Sequence, residues 1–261
     1  MDCGKNWHWT HSRSSSTLEE TPRRRPNVSL DLNGSRILVI GGGSGIARAI
    51  AVAAHRAGAT LVLAGRDKTR LDETAELVGG AETATVDLGD EATVSALAES
   101  VGAVDHVIST AGAAANGPVR ELGAHAVQRA FDAKVIGPIL LAKHLTVRGS
   151  FLFFSGVVGW RPAPGRVVMA TANGALGHLV EALSVELAPV RVNAISPGIV
   201  DSGLWDGMGE RKAEFLDGVA ASVPARRFGT ADDIAEAALF ALTNRFTTGA
   251  VLHVDGGGRW A

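Results

Sequence analysis

The sequence predicts a single α/β domain over residues 31–261, built on an open, doubly wound sheet of seven parallel strands. Three observations lead there. A chain of 261 residues is long enough for one domain with a full hydrophobic core. From Ser35 onward, short β-branched runs alternate with longer segments of helical pattern, which argues for a parallel sheet covered by helices on both faces. A glycine-rich turn, Gly41 to Gly45, joins the first strand to the first helix.

The elements follow in order. Arg36-Ile37-Leu38-Val39-Ile40 reads as a buried strand, and Gly45 to Ala57 as the helix after it. Thr60 to Ala64 is the second strand, and the polar stretch Lys68 to Leu77 a surface helix. Glu82 to Val86 supplies the third strand, Glu91 to Val101 a helix, and Asp105 to Ile108 the fourth strand. One long helix is expected over Ala124 to Val147, kinked at Gly137-Pro138. Phe151 to Phe154 is the fifth strand, followed by a helix from Gly165 to Leu187 that Pro189 helps to end. Arg191 to Ile195 and Val251 to Val254 complete the sheet, with a helix at Ala231 to Leu242 between them. In such sheets ligands sit beyond the carboxyl ends of the strands, where the strand order reverses.

Composition excludes several classes. A formal net charge of -2 gives no electrostatic footprint for nucleic acid or an anionic membrane. No apolar run approaches the roughly 18 residues of a membrane span. The single cysteine, Cys3, permits no intrachain disulfide, so a reducing, cytoplasmic setting is expected. Residues 1–30 carry a serine run and Arg23 to Arg25 without an apolar signal region, and read as a disordered or loosely packed tail. His8 and His11 lack a carboxylate or thiolate partner, and no metal site is expected. The chain contains no tyrosine.

The turn Gly41-Gly42-Gly43-Ser44-Gly45-Ile46-Ala47 carries the first chemistry. Glycines at a strand-to-helix turn let backbone N–H groups approach a pyrophosphate, and the helix N-terminus adds its positive dipole end. Because strand and helix flank it correctly, the loop is expected to bind a dinucleotide.

The spacing Gly41-x-x-x-Gly45-x-Ala47 resembles the TGxxxGxG loop of the short-chain dehydrogenase/reductase family, with Ile40 for the threonine and Ala47 for the third glycine. Further segments resemble the family in the right order. Asp87-Leu88 matches the adenine-contacting aspartate, and Ser109-Thr110-Ala111-Gly112 the NNAG segment with both asparagines replaced. Ser196-Pro197-Gly198-Ile199-Val200-Asp201-Ser202 matches the PGxxxT loop beside the nicotinamide, and Val254-Asp255-Gly256-Gly257 the C-terminal VDGG. The resemblance runs from Leu32 to the end and implies a Rossmann fold. It implies a cofactor held by Gly41, Gly43, Ser44, Gly45, Ile46, Arg66, Asp87, Leu88, Ala111, Gly112, Asn173, Pro197, Gly198, Val200 and Ser202.

An acidic side chain closing the second strand suits the ribose hydroxyls of NAD, whereas a cation suits the 2′-phosphate of NADP. Here Gly65 stands at the family's aspartate position and Arg66 follows, so NADP is expected over NAD. The other reading makes Arg66 a surface residue and Asp67 a helix cap.

The family's catalytic groups are a serine, a tyrosine, a lysine four residues after it, and an asparagine on the preceding long helix. By spacing, Gly156, next to Ser155, takes the serine's place and Met169 the tyrosine's. Asn173 takes the lysine's place and Lys134 the asparagine's. The four-residue spacing keeps Met169 and Asn173 on one helical face, so the frame persists without its chemistry. A thioether donates no proton and glycine has no side chain. Losing one oxyanion donor typically costs about 10²–10³ in rate.

Three readings follow: reduction of an already activated hydrophobic acceptor such as an iminium or a conjugated system, a relocated acid, or a cofactor-binding protein without redox turnover. Lys134 is the best relocated acid, with Ser155 and Ser202 as minor donors; the alternative leaves Lys134 facing solvent on its helix. Trp160 and Arg161 line the pocket or pack their loop, and His178 faces away from it. Residues 199–223 read as a mobile lid with Trp205, Met208 and Phe215 on its apolar face. The small residues Ala170, Ala172, Gly174, Ala175 and Gly177 fit close packing on a second helix or on the sheet. The family resemblance implies a homodimer or homotetramer.

Overall fold

The computed structural model describes residues 30–261. The tail expected over 1–30 lies outside these apart from Leu30, and so do Cys3, His8, His11 and Arg23 to Arg25. In chain order the main elements begin with β1 (Arg36–Ile40), α1 (Gly45–Arg56), β2 (Thr60–Gly65), α2 (Lys68–Leu77), β3 (Glu82–Thr85), α3 (Glu91–Val101) and β4 (Val104–Ser109). There follow α4 (Ala124–Phe131), a π-helical turn (Asp132–Ile136), α5 (Gly137–His144), β5 (Val147–Phe154), α6 (Val167–Glu186) and β6 (Arg191–Pro197). The chain closes with β7 (Val200–Asp201), α7 (Arg211–Ser222), β8 (Gly229–Thr230), α8 (Ala231–Thr243) and β9 (Val251–Val254).

Seven strands form one sheet in the order β3-β2-β1-β4-β5-β6-β9, and every pairing in it is parallel. Strand order reverses between β1 and β4, where Ile40 lies opposite Ser109. Period-two alternation divides the core between the two faces. Ile37 and Val39 join Ile50 of α1 and Ile234 of α8 on one side. Leu38 and Ile40 join Leu141 of α5 and Leu176 and Val180 of α6 on the other. This is the doubly wound sheet that the strand-helix alternation predicts.

One expectation needs correction. The long helix does not run unbroken from Ala124 to Val147. Pro138 has no N–H for the carbonyl of Lys134 four residues back, and its ring would crowd that carbonyl. The chain widens instead into a π turn, in which the Gly137 N–H reaches the Asp132 carbonyl. Gly137 is required there, because a Cβ would stand 2.7 Å from Cβ of Leu88. The helix also stops at His144, and Val147 opens a longer β5 by pairing with Val104. Residues 199–223, expected as a lid, contain regular secondary structure. They hold β7, which pairs with β8 in a separate two-stranded sheet, and the helix α7.

Candidate active site

The turn after β1 is shaped for an anion. Gly41 has φ +86°, and a Cβ there would lie 2.5 Å from the Thr110 hydroxyl. Gly45 has φ +56° at the first turn of α1, and a Cβ would meet the Ser202 carbonyl at 3.2 Å. Gly43 passes so close to α2 that a Cβ would stand 2.8 Å from Arg70 Cβ. Ser44 precedes α1 with extended backbone and an exposed side chain, and no acidic residue occupies the first helical turn. The free N–H groups and dipole of this helix end face no negative charge of their own helix. Ile46 packs down onto the core.

At the end of β2, Asp67 caps α2 by accepting from the Arg70 N–H at 3.2 Å and pairs with the Arg70 side chain at 3.3 Å. Arg66 is exposed and, among the described residues, makes no hydrogen bond or ion pair. The acid therefore closes the helix, and the Arg66 side chain stays exposed without a polar partner among the described residues. Asp87 accepts from the Gly89 N–H at 3.0 Å, while Leu88 is buried beneath it. Thr110, of the segment that resembles NNAG, donates backbone and hydroxyl hydrogens to the Ile40 carbonyl at 3.1 and 3.3 Å. It thereby ties the Ala111-Gly112 segment to the glycine turn.

The loop after β6 closes the other side. The Gly198 N–H bonds the Val254 carbonyl at 3.0 Å, and a Cβ on Gly198 would meet Asp255 Cα at 2.8 Å. Pro197 ends β6, Val200 is buried, and Ser202 reaches the start of α1. The expected cofactor residues of the first and sixth strands thus meet at one place. Asp201 is tied up in an ion pair with Lys212 at 2.8 Å. In the segment read as a lid, Trp205 bonds the Val200 carbonyl at 3.0 Å and lies 4.9 Å from the Phe215 ring, so this apolar face packs on itself.

The four positions of the altered catalytic frame converge between β4, β5, the π turn and α6. Ser155 is buried and donates to the Asn173 carbonyl at 2.9 Å. The Asn173 side-chain N–H bonds the Met169 carbonyl at 2.7 Å. Its Oδ1 is buried without a partner, and a Cβ on Gly156 would come within 3.5 Å of it. Met169, like Phe131 and Val127, packs against a small apolar cluster of Ala115, Ala130 and Val168. Lys134 does not face solvent: it is 7% exposed, and its Nζ donates to the Phe154 carbonyl at 2.5 Å. On its other side lies Gly112, whose Cβ would be 3.7 Å from Nζ. Burial lowers the Lys134 pKa from 10.5 to about 8.

Other candidates leave the site. Trp160 stacks edge-on against His253 at 4.7 Å, and Arg161 donates to the Gly258 carbonyl at 3.2 Å, so both pack their loop on the C-terminal segment. His178 is exposed and faces Glu181. The small residues of α6 are used within the chain, since Gly159 presses on Gly174 and Trp160 on Gly177. Ser196, near the end of β6, has a fully buried hydroxyl without a partner among the described residues. Among the described residues no group of His, Cys, Asp or Glu could hold a metal ion. No described helix is long and apolar enough to cross a membrane.

The residues present fit a nicotinamide dinucleotide. The glycine turn leaves backbone room, α1 offers an uncompensated N-terminus, and Arg66 is free. Asn173 Oδ1 is an acceptor without a donor.

Comparisons with known proteins agree. Residues 41–258 match the family described as enoyl-(acyl carrier protein) reductase. Bovine (Bos taurus) L-xylulose reductase is 34% identical over 246 residues, covering 88% of this chain and 98% of the relative. Among solved structures, the MalC reductase/Diels-Alderase of Malbranchea aurantiaca superposes with a TM-score of 0.84 at 27% identity, covering 90% of this chain and 99% of that one. A small-chain dehydrogenase in complex with NADPH gives 0.74 at 31% identity, covering 87% and 99%.

Proposed function

The chain belongs to the short-chain dehydrogenase/reductase family and is an oxidoreductase of that family; on that premise we propose that it uses NADP(H) to reduce a hydrophobic acceptor activated before hydride arrives. The observation that carries this reading is the contrast between the two halves of the site. The cofactor side keeps its glycine turn and gains the free Arg66. On the substrate side Met169 and Gly156 stand where a phenol and a hydroxyl would donate to a ketone oxygen.

When bound, the cofactor supplies hydride. Every other role falls to the chain. The N–H groups from Gly41 to Ile46 would hold the pyrophosphate, and Arg66 would pair with the 2′-phosphate. Asp87 and Leu88 border the adenine; Ala111, Gly112, Pro197, Gly198, Val200 and Ser202 wall the nicotinamide side. Asn173 Oδ1 accepts from a ribose hydroxyl, an acceptor where the family's ammonium would donate. Met169 and Phe131 exclude water from the acceptor.

Titration of intrinsic fluorescence with NADPH and NADH, followed by NADPH consumption with an enone, a cyclic iminium and a simple ketone, tests the proposal. Turnover confined to activated acceptors supports it; equal turnover of the ketone sinks it. A second reading, a host for ring-forming chemistry that keeps its cofactor unconsumed, is favoured by the missing donors and by the likeness to a reductase/Diels-Alderase. It requires tight NADPH binding with no consumption of any acceptor. We also infer a homo-oligomer, supported by the exposed Ile136, Ile139 and Val167 on the π turn, α5 and α6; light scattering at the monomer mass overturns it.

A further inference from the structure

We propose that Lys134 is the catalytic acid of this site and that it selects acceptors developing negative charge, conjugated carbonyl compounds, over cationic iminium ions. The inference rests on the reductase reading and narrows its substrate class.

Four features carry it. Lys134 is buried at the carboxyl ends of β4 and β5, between Gly112 and the Phe154 carbonyl. It is held there by the π turn that Pro138 imposes. One of its three N–H hydrogens is used by Phe154, and no other hydrogen bond from it is formed among the described residues, so two remain for a ligand. Among the described residues no carboxylate pairs with it. Asp132 on the same turn accepts from Gln128 at 2.7 Å, and Asp87 on the adjoining loop accepts from Gly89. Lys143 and His144 of α5 pair with Glu91, and His178 of α6 pairs with Glu181. On α4, Arg129 lies in the last turn before the π segment. Burial is the cause of the lowered Lys134 pKa, with no neighbouring charge contributing.

An uncompensated buried cation has a definite preference. Hydride addition at the β-carbon of a conjugated carbonyl moves the alkene electron pair toward the carbonyl oxygen. Lys134 stabilises that oxyanion through a charge-assisted hydrogen bond. It then releases one proton, which ends on the α-carbon as the enolate becomes the saturated carbonyl. The neutral amine regains a proton from water when the product leaves. In sum, acceptor, reduced nicotinamide and one proton give saturated carbonyl and oxidised nicotinamide. An iminium ion reverses the sign: it brings a positive charge beside the ammonium and loses it on reduction, so Lys134 opposes its binding.

Equilibrium binding of dimedone, a cyclic diketone that is an enolate anion at neutral pH, is measured on the protein saturated with NADP⁺. Wild type is compared with Lys134→Met and Lys134→Gln. The expected result is a loss of at least about tenfold in affinity in both variants, with NADPH affinity unchanged. Wild-type binding falls as pH rises through about 8, and the variants show no such fall. Enone reduction falls in both variants, whereas a cyclic iminium is reduced as well or better. Equal dimedone binding by wild type and variants, or enone turnover that survives both substitutions, overturns the proposal. Failure of the cofactor reading shows itself separately, as absence of NADPH binding by wild type.

Discussion

The ammonium of Lys134 donates to the carbonyl of Phe154 at 2.5 Å, joining the π turn to the carboxyl end of β5 across a buried gap. An ammonium desolvated this far is costly, and one neutral hydrogen bond offsets only part of the loss.

The cost has a pH signature. Burial holds the folded pKa of Lys134 at about 8, against the ordinary 10.5 of a solvated lysine, so below 8 both states carry the proton. Between the two values the unfolded chain binds a proton that the folded chain has released. Stability therefore rises with pH through this window, and the contribution is lost as pH falls through about 8. Urea unfolding at pH 7 and 10 is expected to show the wild type gaining up to about 3 kcal/mol relative to Lys134→Met. A constant difference between the two proteins would mean that Lys134 is solvated.

His106 gives the acid-side counterpart. Its Nδ1 lies 2.9 Å from the Ser150 hydroxyl, and burial first, then Arg191, lowers its pKa from 6.5 to about 4. Its share of stability is fully present above 6.5 and is lost as pH falls through 4. His106→Gln should remove a loss on the order of 2–3 kcal/mol between pH 7 and 4. Denaturant midpoints at the two pH values check it.

Arg66 is exposed and makes no hydrogen bond or ion pair among the described residues, so its replacement leaves the fold intact. Arg66→Ala should weaken NADPH about tenfold to a hundredfold and leave NADH within about twofold, because only the phosphate loses a forked charge-assisted contact. Fluorescence titration with both nucleotides measures it. Equal effects on the two would remove the 2′-phosphate role.

Gly41→Ala brings two penalties, a left-handed backbone at φ +86° and a Cβ 2.5 Å from the Thr110 hydroxyl. A loss of about 1–2 kcal/mol in stability is expected, together with loss of nucleotide binding. Thermal melts with and without NADPH separate the two effects. A variant that melts and binds like wild type would show the turn to be slack.

The frame left at the catalytic positions is testable by restoration. A Cβ on Gly156 meets Asn173 at 3.5 Å, an ordinary contact, so Gly156→Ser fits. Combining it with Met169→Tyr, Asn173→Lys and Lys134→Asn should raise ketone reduction by at least about 10²-fold. Keeping Lys134 in that combination places two ammonium groups in one pocket and should abolish the gain. NADPH consumption with cyclohexanone distinguishes the two variants.

The sheet was legible from alternation alone. β1, β2, β4 and β9 match their apolar runs to within a residue at each end, because short apolar runs suit strands of a parallel sheet covered on both faces. The helix around Lys134 was not legible as it is. Gly137-Pro138 predicted a kink, but not that the chain widens into a π turn with Leu88 of another element too close to Gly137 for a Cβ. The ion pair that occupies Asp201 is likewise local in space and distant in sequence, since its partner Lys212 lies on α7.

By itself the sequence determined the seven-stranded doubly wound sheet, the glycine turn at its reversal point, and the loss of the phenol, since a chain without tyrosine cannot place one. Those properties depend on local periodicity and on which chemical groups exist. Only the tertiary structure decided that Lys134 is buried rather than solvated, that Asn173 carries an unpaired acceptor, and that Asp67 caps its helix while Arg66 stays free. Burial and pairing are properties of what other elements bring near. Here β4, β5 and α6 enclose one side chain from a turn that none of them adjoins in sequence.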